Sequence, residues 1–229
     1  RSWTNASTYP FGYMSDLRVT KGTALYATSF VPQNTPLTAL PNTTLLLNYA
    51  NAGIIDRSMS NNIETIGDVS HSIVQKKYNS TSIRFDGTGD WIHLPAGPQY
   101  EFLGGDFTIE FWFYTSTTSR QWFIHAATDY WFGLDYNSVG TNKLGLWASS
   151  NGTGWDLINS DAGGNGICAT TLPQNQWNHI AVTRNGNNWR VFLNGSQDLL
   201  ISVSGSIVDR STQQKVIGSG AISSHQYPC

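Results

Sequence analysis

The segment Asp106-Phe-Thr-Ile-Glu-Phe-Trp-Phe-Tyr114 decides the fold class. Its odd-numbered positions from Phe107 to Phe113 are all apolar, and its even-numbered positions from Thr108 to Tyr114 are polar or amphipathic. A period of two sends alternate side chains to opposite faces of a strand, and aromatic and β-branched residues favour strands. The segment is therefore predicted to be a β-strand with one buried face.

Two more strands are predicted further along the chain. They are 177–184 (Trp-Asn-His-Ile-Ala-Val-Thr-Arg) and 188–194, which contains Trp189-Arg-Val-Phe-Leu-Asn194, with Asn185-Gly186 as the hairpin signal between them. Other short alternating stretches are separated by turn signals, a spacing typical of a sandwich. They lie near 13–19, 44–49, 62–67, 81–86, 90–94, 121–126, 130–135, 143–149, 154–158, 198–203 and 214–218. The only helical feature predicted is a single turn near 98–102.

These three aromatic strands resemble those of the laminin-G-like, concanavalin A-like jelly rolls that occur in tandem in phage, viral and bacterial surface proteins. The matching motifs are Gly-Asp-Phe-Thr-Ile-Glu-Phe-Trp, Trp-Asn-His-Ile-Ala-Val-Thr-Arg and Val-Phe-Leu-Asn-Gly. The resemblance implies an all-β sandwich of two antiparallel sheets. It indicates the fold and says little about function, because this sandwich is widely reused.

Composition narrows the possible functions. A net charge of −2 gives no basic field, so nucleic acid is not expected as a partner. No apolar run reaches the ~20 residues that a membrane helix needs. The chain starts at Arg1 and shows no signal peptide, which we interpret as a processed product, a fragment or one period of a longer protein. The abundance of Ser, Thr and Asn favours an extracellular, cell-surface or virion-associated protein.

The order of the motifs departs from that of the family. In the jelly rolls that the sequence resembles, a closing strand of the type Gly-Tyr-Ile-Ser-Asp-Leu-Arg-Val comes last, followed by Lys-Gly-Thr-Ala-Leu-Tyr and Phe-x-Pro. Here the corresponding pieces, 12–19, 21–26 and 30–32, stand at the N-terminus. We therefore divide the chain into an arm, closing strand and Pro-containing linker at 1–43 and a jelly roll at 44–229 that lacks one strand.

An unfilled strand position would leave backbone groups unpaired, so a strand must occupy it. The closing strand could fold back in cis, or enter the next copy in trans by β-strand donation. We favour the trans arrangement, which builds a head-to-tail homopolymer and makes the protein a non-catalytic structural subunit of a fibre. The alternative is a glycan-binding adhesion module, with or without calcium. The residues assigned to the donor strand are Tyr13, Met14, Ser15, Asp16, Leu17, Arg18 and Val19.

An enzyme is not expected. Glycosidases of this architecture place two carboxylates close together on one strand, whereas Glu64, Glu101 and Glu110 are isolated in the sequence. A Gly-x-Ser-x-Gly nucleophile motif is absent from the sequence as well. We interpret His179 as a packed, hydrogen-bonded residue, which is its usual role at the family's Trp-x-His position.

A calcium site is the strongest chemical candidate. Phe85-Asp86-Gly87-Thr88-Gly89-Asp90 is similar to a family turn, and related domains often bind calcium at the rim. Asp86 and Asp90 supply hard oxygen ligands, with Asp16 of the closing strand as a further one. The alternative is that these carboxylates hydrogen-bond the backbone of their own turn.

Aromatic side chains in the middle of the chain are candidate glycan contacts. Trp112, Trp177 and Trp189 are expected in the core or on a sheet surface. Trp131 with Tyr130, and Trp155 with Asn151, are the pairs selected as possible sugar contacts.

Covalent features are the last predictions. Cys168 and Cys229 could form one disulfide, within or between chains, which an extracellular location favours. Asn-x-Ser/Thr sequons occur at Asn5, Asn42, Asn79, Asn151 and Asn194, about as many as this composition produces by accident. For Asn194 the alternative is a structural Asn-Gly turn.

Overall fold

A computed structural model describes residues 9–48, 54–59, 61–78, 81–126 and 130–219. It contains fifteen β-strands and one short 3-10 helix at Pro98–Tyr100. The strands are β1 (Phe11–Lys21), β2 (Thr43–Leu47), β3 (Glu64–Ile66), β4 (Ser70–Ser72), β5 (Ser82–Asp86), β6 (Trp91–Leu94), β7 (Phe107–Thr115), β8 (Gln121–Ala126), β9 (Phe132–Tyr136), β10 (Lys143–Ala148), β11 (Ile167–Thr171), β12 (Asn178–Asn185), β13 (Asn188–Leu193), β14 (Ser196–Ser202) and β15 (Lys215–Ile217).

The strands form two sheets. One has eight strands in the order β14-β13-β12-β7-β1-β5-β4, with β2 also paired to β1, and we call it sheet A. The other has seven, β11-β10-β9-β8-β15-β6-β3, and we call it sheet B. Every pairing between these strands is antiparallel. The predicted two-sheet antiparallel jelly roll is confirmed.

The core lies between the sheets and comes from alternate positions of the strands, as the period of two predicts. Phe107, Ile109, Phe111 and Phe113 of β7 are fully buried in it, and Phe123 of β8 packs on the last two of these. The defining stretch of sequence therefore forms the central strand of sheet A with its apolar side inward.

Strand β1 occupies the closing position within its own chain. Its residues 12–21 pair antiparallel with β7 along one edge, while 11–14 pair with β5 and 17–20 with β2 along the other. Met14, Leu17 and Val19 are buried in the core. The arrangement in the structure is thus the cis one, where the sequence favoured trans, and β1 is an integral strand of the jelly roll that the sequence assigned to 44–229.

The segment that follows β1 is far more ordered than the loosely packed linker predicted for it. Residues 22–40, which we call the strap, cross the outer face of sheet A. The backbone N–H of Leu25 donates to Thr108 Oγ1 at 2.8 Å, Thr183 Oγ1 donates to the carbonyl of Tyr26 at 2.8 Å, and the N–H of Phe30 donates to the carbonyl of Gly195 at 2.8 Å. The outer face of sheet A is therefore covered by the chain's own strap.

Several predicted elements differ from the observed ones. Residues 154–158 form a loop with a single bridge between Ile158 and Ala148, because the loop folds across the sheet surface instead of pairing along it. Strands β4 and β11 were not predicted, since neither Ser-His-Ser nor Ile-Cys-Ala-Thr-Thr alternates between apolar and polar residues. Among the described residues, no helix is long and apolar enough to cross a membrane.

Candidate functional site

Sheet B presents a face rich in aromatic and histidine side chains on the side away from the core. Strand registers arrange the outward residues in two rows that cross the strands. The first row holds Trp147, Gly133, His125, Val216, His93 and Glu64, and the second holds Gly145, Asp135, Trp122, Trp91 and Ile66. Since strands lie about 4.8 Å apart, each row extends roughly 24 Å.

Five aromatic side chains gather at the β8–β10 side of this face. The Trp155 ring lies 5.3 Å from that of Trp147, 6.4 Å from that of Trp122 and 5.0 Å from that of Tyr130, centroid to centroid. The His125 ring is 4.7 Å from Trp122 and 5.7 Å from Trp155. We call these five residues the tryptophan cluster. Trp155 and Tyr130 are half-buried and face solvent, while Trp147 and Trp122 form the floor beneath them.

A buried ion pair holds the floor of the cluster in place. Arg120 Nε donates to Asp135 Oδ2 at 2.8 Å, and Trp147 Nε1 donates to Asp135 Oδ1 at 3.0 Å. The Arg120 guanidinium also lies 5.0 Å from the centre of the Trp122 ring and 5.4 Å from that of Trp147. Burial raises the pKa of Asp135 to about 6, against the lowering effect of Arg120.

Two glycines, Gly133 and Gly145, leave room for the side chains that form the floor of the tryptophan cluster. A Cβ at Gly133 would clash with the Trp122 ring and approach that of His125. A Cβ at Gly145 would clash with the Asp135 carboxylate. Because both positions lack a side chain, the rings and the ion pair can lie flat against the sheet.

The loop that carries Trp155 is braced by its own polar groups. Asp156 accepts hydrogen bonds from Ser149 Oγ, from Ser150 Oγ and from the Ser150 N–H, and these bonds lower its pKa despite the opposing effect of burial. Asn151 Oδ1 accepts the N–H groups of Thr153 and Gly154. Asn151 therefore shapes the loop that presents Trp155.

The predicted glycan pairs are thus only partly brought together. Tyr130 and Trp155 meet in the cluster. Trp131 does not join them, because its ring is buried in the core, stacked on Phe102 at 5.7 Å, with Nε1 donating to Glu101 at 3.1 Å. The sequence analysis missed Trp122, Trp147, His125, Arg120 and Asp135. Asp135 and Trp147 alternate with core residues of β9 and β10, which marks them as outward-facing, whereas in β8 a register shift between Trp122 and Ile124 breaks the alternation.

The predicted calcium ligands are also partly brought together. Asp86 and Asp90 lie with Asp68, their ligand atoms all within 4.8 Å of one another. Asp90 is buried, and its two oxygens accept the N–H groups of Asp68 and Asp86 at 2.9 and 2.8 Å. Burial raises its pKa to about 6. Carboxylate oxygens suit Ca²⁺, and the same carboxylates hydrogen-bond the turn, so both interpretations of this turn remain open.

Asp16 is not part of that cluster. It lies five positions along β1 from Phe11, the residue paired with Asp86. Its buried carboxylate instead accepts the Leu37 N–H of the strap at 2.8 Å and a hydrogen bond from Ser15 Oγ at 3.2 Å. Asp16 therefore anchors the strap.

A second polar group is buried beneath the strap. Glu110 accepts hydrogen bonds from Arg18, from the Tyr26 hydroxyl at 2.8 Å, and lies 3.3 Å from His179 Nε2. Burial raises the pKa of Glu110, but the hydrogen bonds and charges of His179, Arg18 and Tyr26 outweigh it and hold the pKa below its ordinary value. Because Tyr26 and Phe30 of the strap cover this group, it serves to attach the strap to the sheet.

The remaining tryptophans and the cysteines lie away from the tryptophan cluster or outside the described residues. Trp189 lies in the core, Trp112 lies under Lys77 on the outer face of sheet A, and Trp177 is half-buried beside Tyr114. Cys168 is a buried free thiol whose pKa burial raises, and Cys229 is outside the described residues.

Among the sequons, Asn5 and Asn79 are outside the described residues. Asn42 and Asn151 are exposed. The side chain of Asn194 bonds His179 and Asn178 within an Asn-Gly turn, as its structural interpretation predicts.

The comparisons with known proteins agree with this architecture. Curated protein sequences give no match. Domain 4 of AbnA, an extracellular GH43 arabinanase from Geobacillus stearothermophilus solved in complex with arabinotriose, is similar in structure, with a TM-score of 0.56. The likeness covers 79% of this chain and 84% of that one at 15% identity, and so concerns the fold.

A family model described as the concanavalin A-like lectin/glucanases superfamily matches residues 86–228. The matched residues include β7, the β12–β13 hairpin and the tryptophan cluster, and they exclude β1 and the strap. The chain belongs to this laminin-G-type branch of the concanavalin A-like superfamily.

Proposed function

We propose that the protein is an extracellular, non-catalytic glycan-binding module whose binding site is centred on Trp155 and Tyr130 of the tryptophan cluster. The observation that carries the proposal is the tryptophan cluster, in which half-buried Trp155 and Tyr130 rest on a floor fixed by the Arg120–Asp135 pair. Aromatic faces stack on the apolar faces of sugars, and polar groups beside them fix orientation. The similar arabinanase domain was solved in complex with arabinotriose, which makes arabino-oligosaccharides natural first probes.

The exposure of these two rings supports this choice of site. The strap lies over the outer face of sheet A, whereas on sheet B Trp155 and Tyr130 stay half-buried above the buried rings of Trp122 and Trp147.

Binding would be measured on a glycan array and by titration calorimetry with arabinotriose and other neutral oligosaccharides. Trp155→Ala should weaken binding at least about tenfold, because it removes the ring that faces solvent. Trp177→Ala is the matched control, a half-buried tryptophan on the other sheet. A protein that binds no glycan, or a Trp155→Ala variant that binds as the wild type does, would contradict the proposal.

Calcium dependence remains a prediction that belongs to this function. If the carboxylates of Asp68, Asp86 and Asp90 hold Ca²⁺, millimolar calcium should raise the Tm and Asp68→Asn should remove that increase. An unchanged Tm would show that the three carboxylates do not bind calcium and only hydrogen-bond the backbone of the turn.

We propose as a second candidate the assembly of a fibre by exchange of β1 between copies. The observation in its favour is that an N-terminal strand fills a central position of sheet A, so a neighbour's β1 could make the same contacts with β7, β5 and β2.

The two arrangements can be separated by a cross-link. Tyr13 of β1 is the register partner of Tyr114 in β7, so the Tyr13→Cys/Tyr114→Cys variant joins them on oxidation. Exchange predicts a ladder of covalent multimers, and electron micrographs with filaments. Cross-linked monomers, with Tyr13→Cys alone as the control, would contradict exchange.

A further inference from the structure

The hydrogen bonds between the strap and sheet A stop short of one end of the sheet. Those on the outward side chains of the central strands go to Thr108, Glu110 and Thr183. Further along β7, Trp112 is only 8% exposed, but the next outward residue, Tyr114, is half-buried and reaches solvent. The outer face of sheet A is therefore accessible at the Tyr114 end of β7.

A row of half-buried side chains crosses the sheet at this end. Tyr114 is the register partner of Tyr13 in β1, and Tyr13 is the partner of Arg84 in β5. Trp177, just before β12, extends the row on the other side, with its ring centroid 5.9 Å from that of Tyr114. We call these four half-buried residues the open row. From β12 to β5 it crosses three strand spacings, roughly 14 Å.

The three rings of the open row support one another and keep their polar groups accessible. The Tyr13 and Tyr114 rings meet edge to face, with 73° between their planes, and those of Tyr114 and Trp177 are tilted by 60°. Such angled pairs are favourable arrangements of aromatic rings. The two hydroxyls and Trp177 Nε1 are not buried and have no hydrogen-bond partner among the described residues. A ligand here would meet ring surfaces and hydrogen-bonding groups together.

Arg84 adds a positive charge to the open row. Within the described part of the chain, its guanidinium forms no hydrogen bond and no ion pair. Asp86 lies two positions further along β5, but its Oδ1 accepts the N–H of Thr88 at 2.7 Å, in the turn that also holds Asp68 and Asp90. Because the planar fork of arginine matches the two oxygens of a carboxylate, the open row is complementary to a carboxylate-bearing ligand.

The strands beneath the open row favour a sugar over a peptide as the carrier of that carboxylate. β7, β1 and β5 each have a neighbouring strand on both sides, so none of them offers a strand edge to which a peptide could add. What the surface presents is ring faces beside a few polar groups. This combination suits sugar rings, which have apolar faces and hydroxyls at their rims.

We propose that the open row is a second ligand site and that it binds an acidic oligosaccharide, one whose sugar units carry carboxylates. The rings of Trp177, Tyr114 and Tyr13 contact the apolar faces of the sugars, and Arg84 pairs with a carboxylate. The open row lies on sheet A and the tryptophan cluster on sheet B, so the two sites take their ligands independently. The inference goes beyond the proposed function and does not depend on it.

The charge of the ligand is the quantity to vary. Titration calorimetry of the full chain would use the hexasaccharides of polygalacturonate, polymannuronate and hyaluronan. Each would be compared with its carboxyl-reduced form, in which the carboxylates are primary alcohols. At least one acidic hexasaccharide should bind, and its reduced form should bind at least about tenfold more weakly. Binding of the acidic form should also weaken between about 0.05 M and about 0.5 M NaCl, because salt screens an exposed charge pair.

Four variants then locate the site, each checked for folding by circular dichroism. Arg84→Gln should weaken the acidic hexasaccharide at least about tenfold and leave the reduced form unchanged. Arg84→Lys, which keeps the charge without the fork, should bind with intermediate affinity. Trp177→Ala should weaken the acidic ligand by removing one ring contact. Trp155→Ala, in the tryptophan cluster, is the control and should leave acidic binding unchanged.

The outcomes separate this site from the tryptophan cluster. Failure of all three acidic hexasaccharides to bind, or an Arg84→Gln protein that binds as the wild type does, overturns the open row as a ligand site. Loss of acidic binding in Trp155→Ala also overturns it, because the ligand would then lie on sheet B. Binding of neutral oligosaccharides at Trp155 is tested separately, and its failure would leave the open row standing.

Discussion

At the scale of single residues, the most consequential side chain is Arg18, because it joins β1, β7 and the strap. Its guanidinium bonds Glu110 and donates from Nη1 to the carbonyl of Thr38 at 2.9 Å. The side chains of Arg18 and Glu110 are only 5% and 1% exposed, so removing Arg18 leaves the Glu110 carboxylate buried without its closest cation.

Arg18→Ala should therefore lower the free energy of unfolding by about 3–5 kcal/mol. Urea denaturation followed by tryptophan fluorescence measures the loss. Lys76→Ala, at an exposed lysine, is the control and should change little. A loss for Arg18→Ala below about 1 kcal/mol would mean that the pair is not a stabilising contact.

The Asp16 carboxylate gives the protein an unusual dependence on pH. Burial raises its pKa from 3.8 to about 7, and Glu110 acts in the same direction, while Leu37, Ser15 and Arg18 oppose them. Between pH 3.8 and about pH 7, Asp16 holds its proton in the folded protein but has lost it in the unfolded chain. The folded protein therefore binds more protons in this range, and its stability falls as pH rises. Asp90 and Asp135, both raised to about 6 by burial, act in the same direction, and Glu110, whose pKa is lowered, acts oppositely in acid.

The free energy of unfolding should thus be greater near pH 5 than near pH 8. Asp16→Asn should flatten this decline by as much as about 3 kcal/mol, since an amide keeps the acceptor for Leu37 without a charge. Denaturation of both proteins across this range provides the comparison. Equal slopes would show that Asp16 ionises normally in the folded protein.

At the scale of elements, the strap is held by one deeply buried side chain together with its hydrogen bonds. Leu37 is 1% exposed and Val31 is 91% exposed within the same segment. Leu37→Ala should cost about 2–5 kcal/mol, the usual range for a buried leucine, and Val31→Ala should cost almost nothing. Thermal unfolding measures both, and similar Tm values for the two variants would show that the strap is not anchored at Leu37.

The strands could be predicted to the extent that their sequences show a period of two. β7, β12 and β13 alternate strongly, and the structure places them within about two residues of the predicted bounds. The strap could not be predicted, because its order comes from bonds to Thr108, Thr183 and Gly195, residues more than 80 positions away. Likewise, the tryptophan cluster depends on the register between β8, β9 and β10, which the spacing of tryptophans in the sequence does not reveal.

At the scale of the whole molecule, the position of β1 makes the N-terminal segment indispensable to sheet A. Without it, β5 and β7 would face each other across a gap with unpaired N–H and C=O groups and exposed core residues. The chain lacking residues 1–21 should therefore aggregate when expressed alone.

Adding a synthetic peptide of residues 9–21 during refolding should restore a soluble complex, by the same pairing that β1 makes within the chain. Size-exclusion chromatography and circular dichroism measure the recovery. A peptide with Met14→Asp and Leu17→Asp, which places charges in the core, is the control and should not rescue. A truncated chain that folds without any peptide would contradict the central role of β1.

The pairing of β1 also sets an order in time. During synthesis this strand precedes the strands with which it pairs, since β5 follows at residues 82–86 and β7 only at 107–115. Since contacts between distant parts of a chain slow folding, β1 must wait, exposed, until the chain as far as residue 115 is synthesised. Polar and charged residues at positions 15, 16 and 18 interrupt its apolar side chains, which reduces the risk of aggregation during that wait.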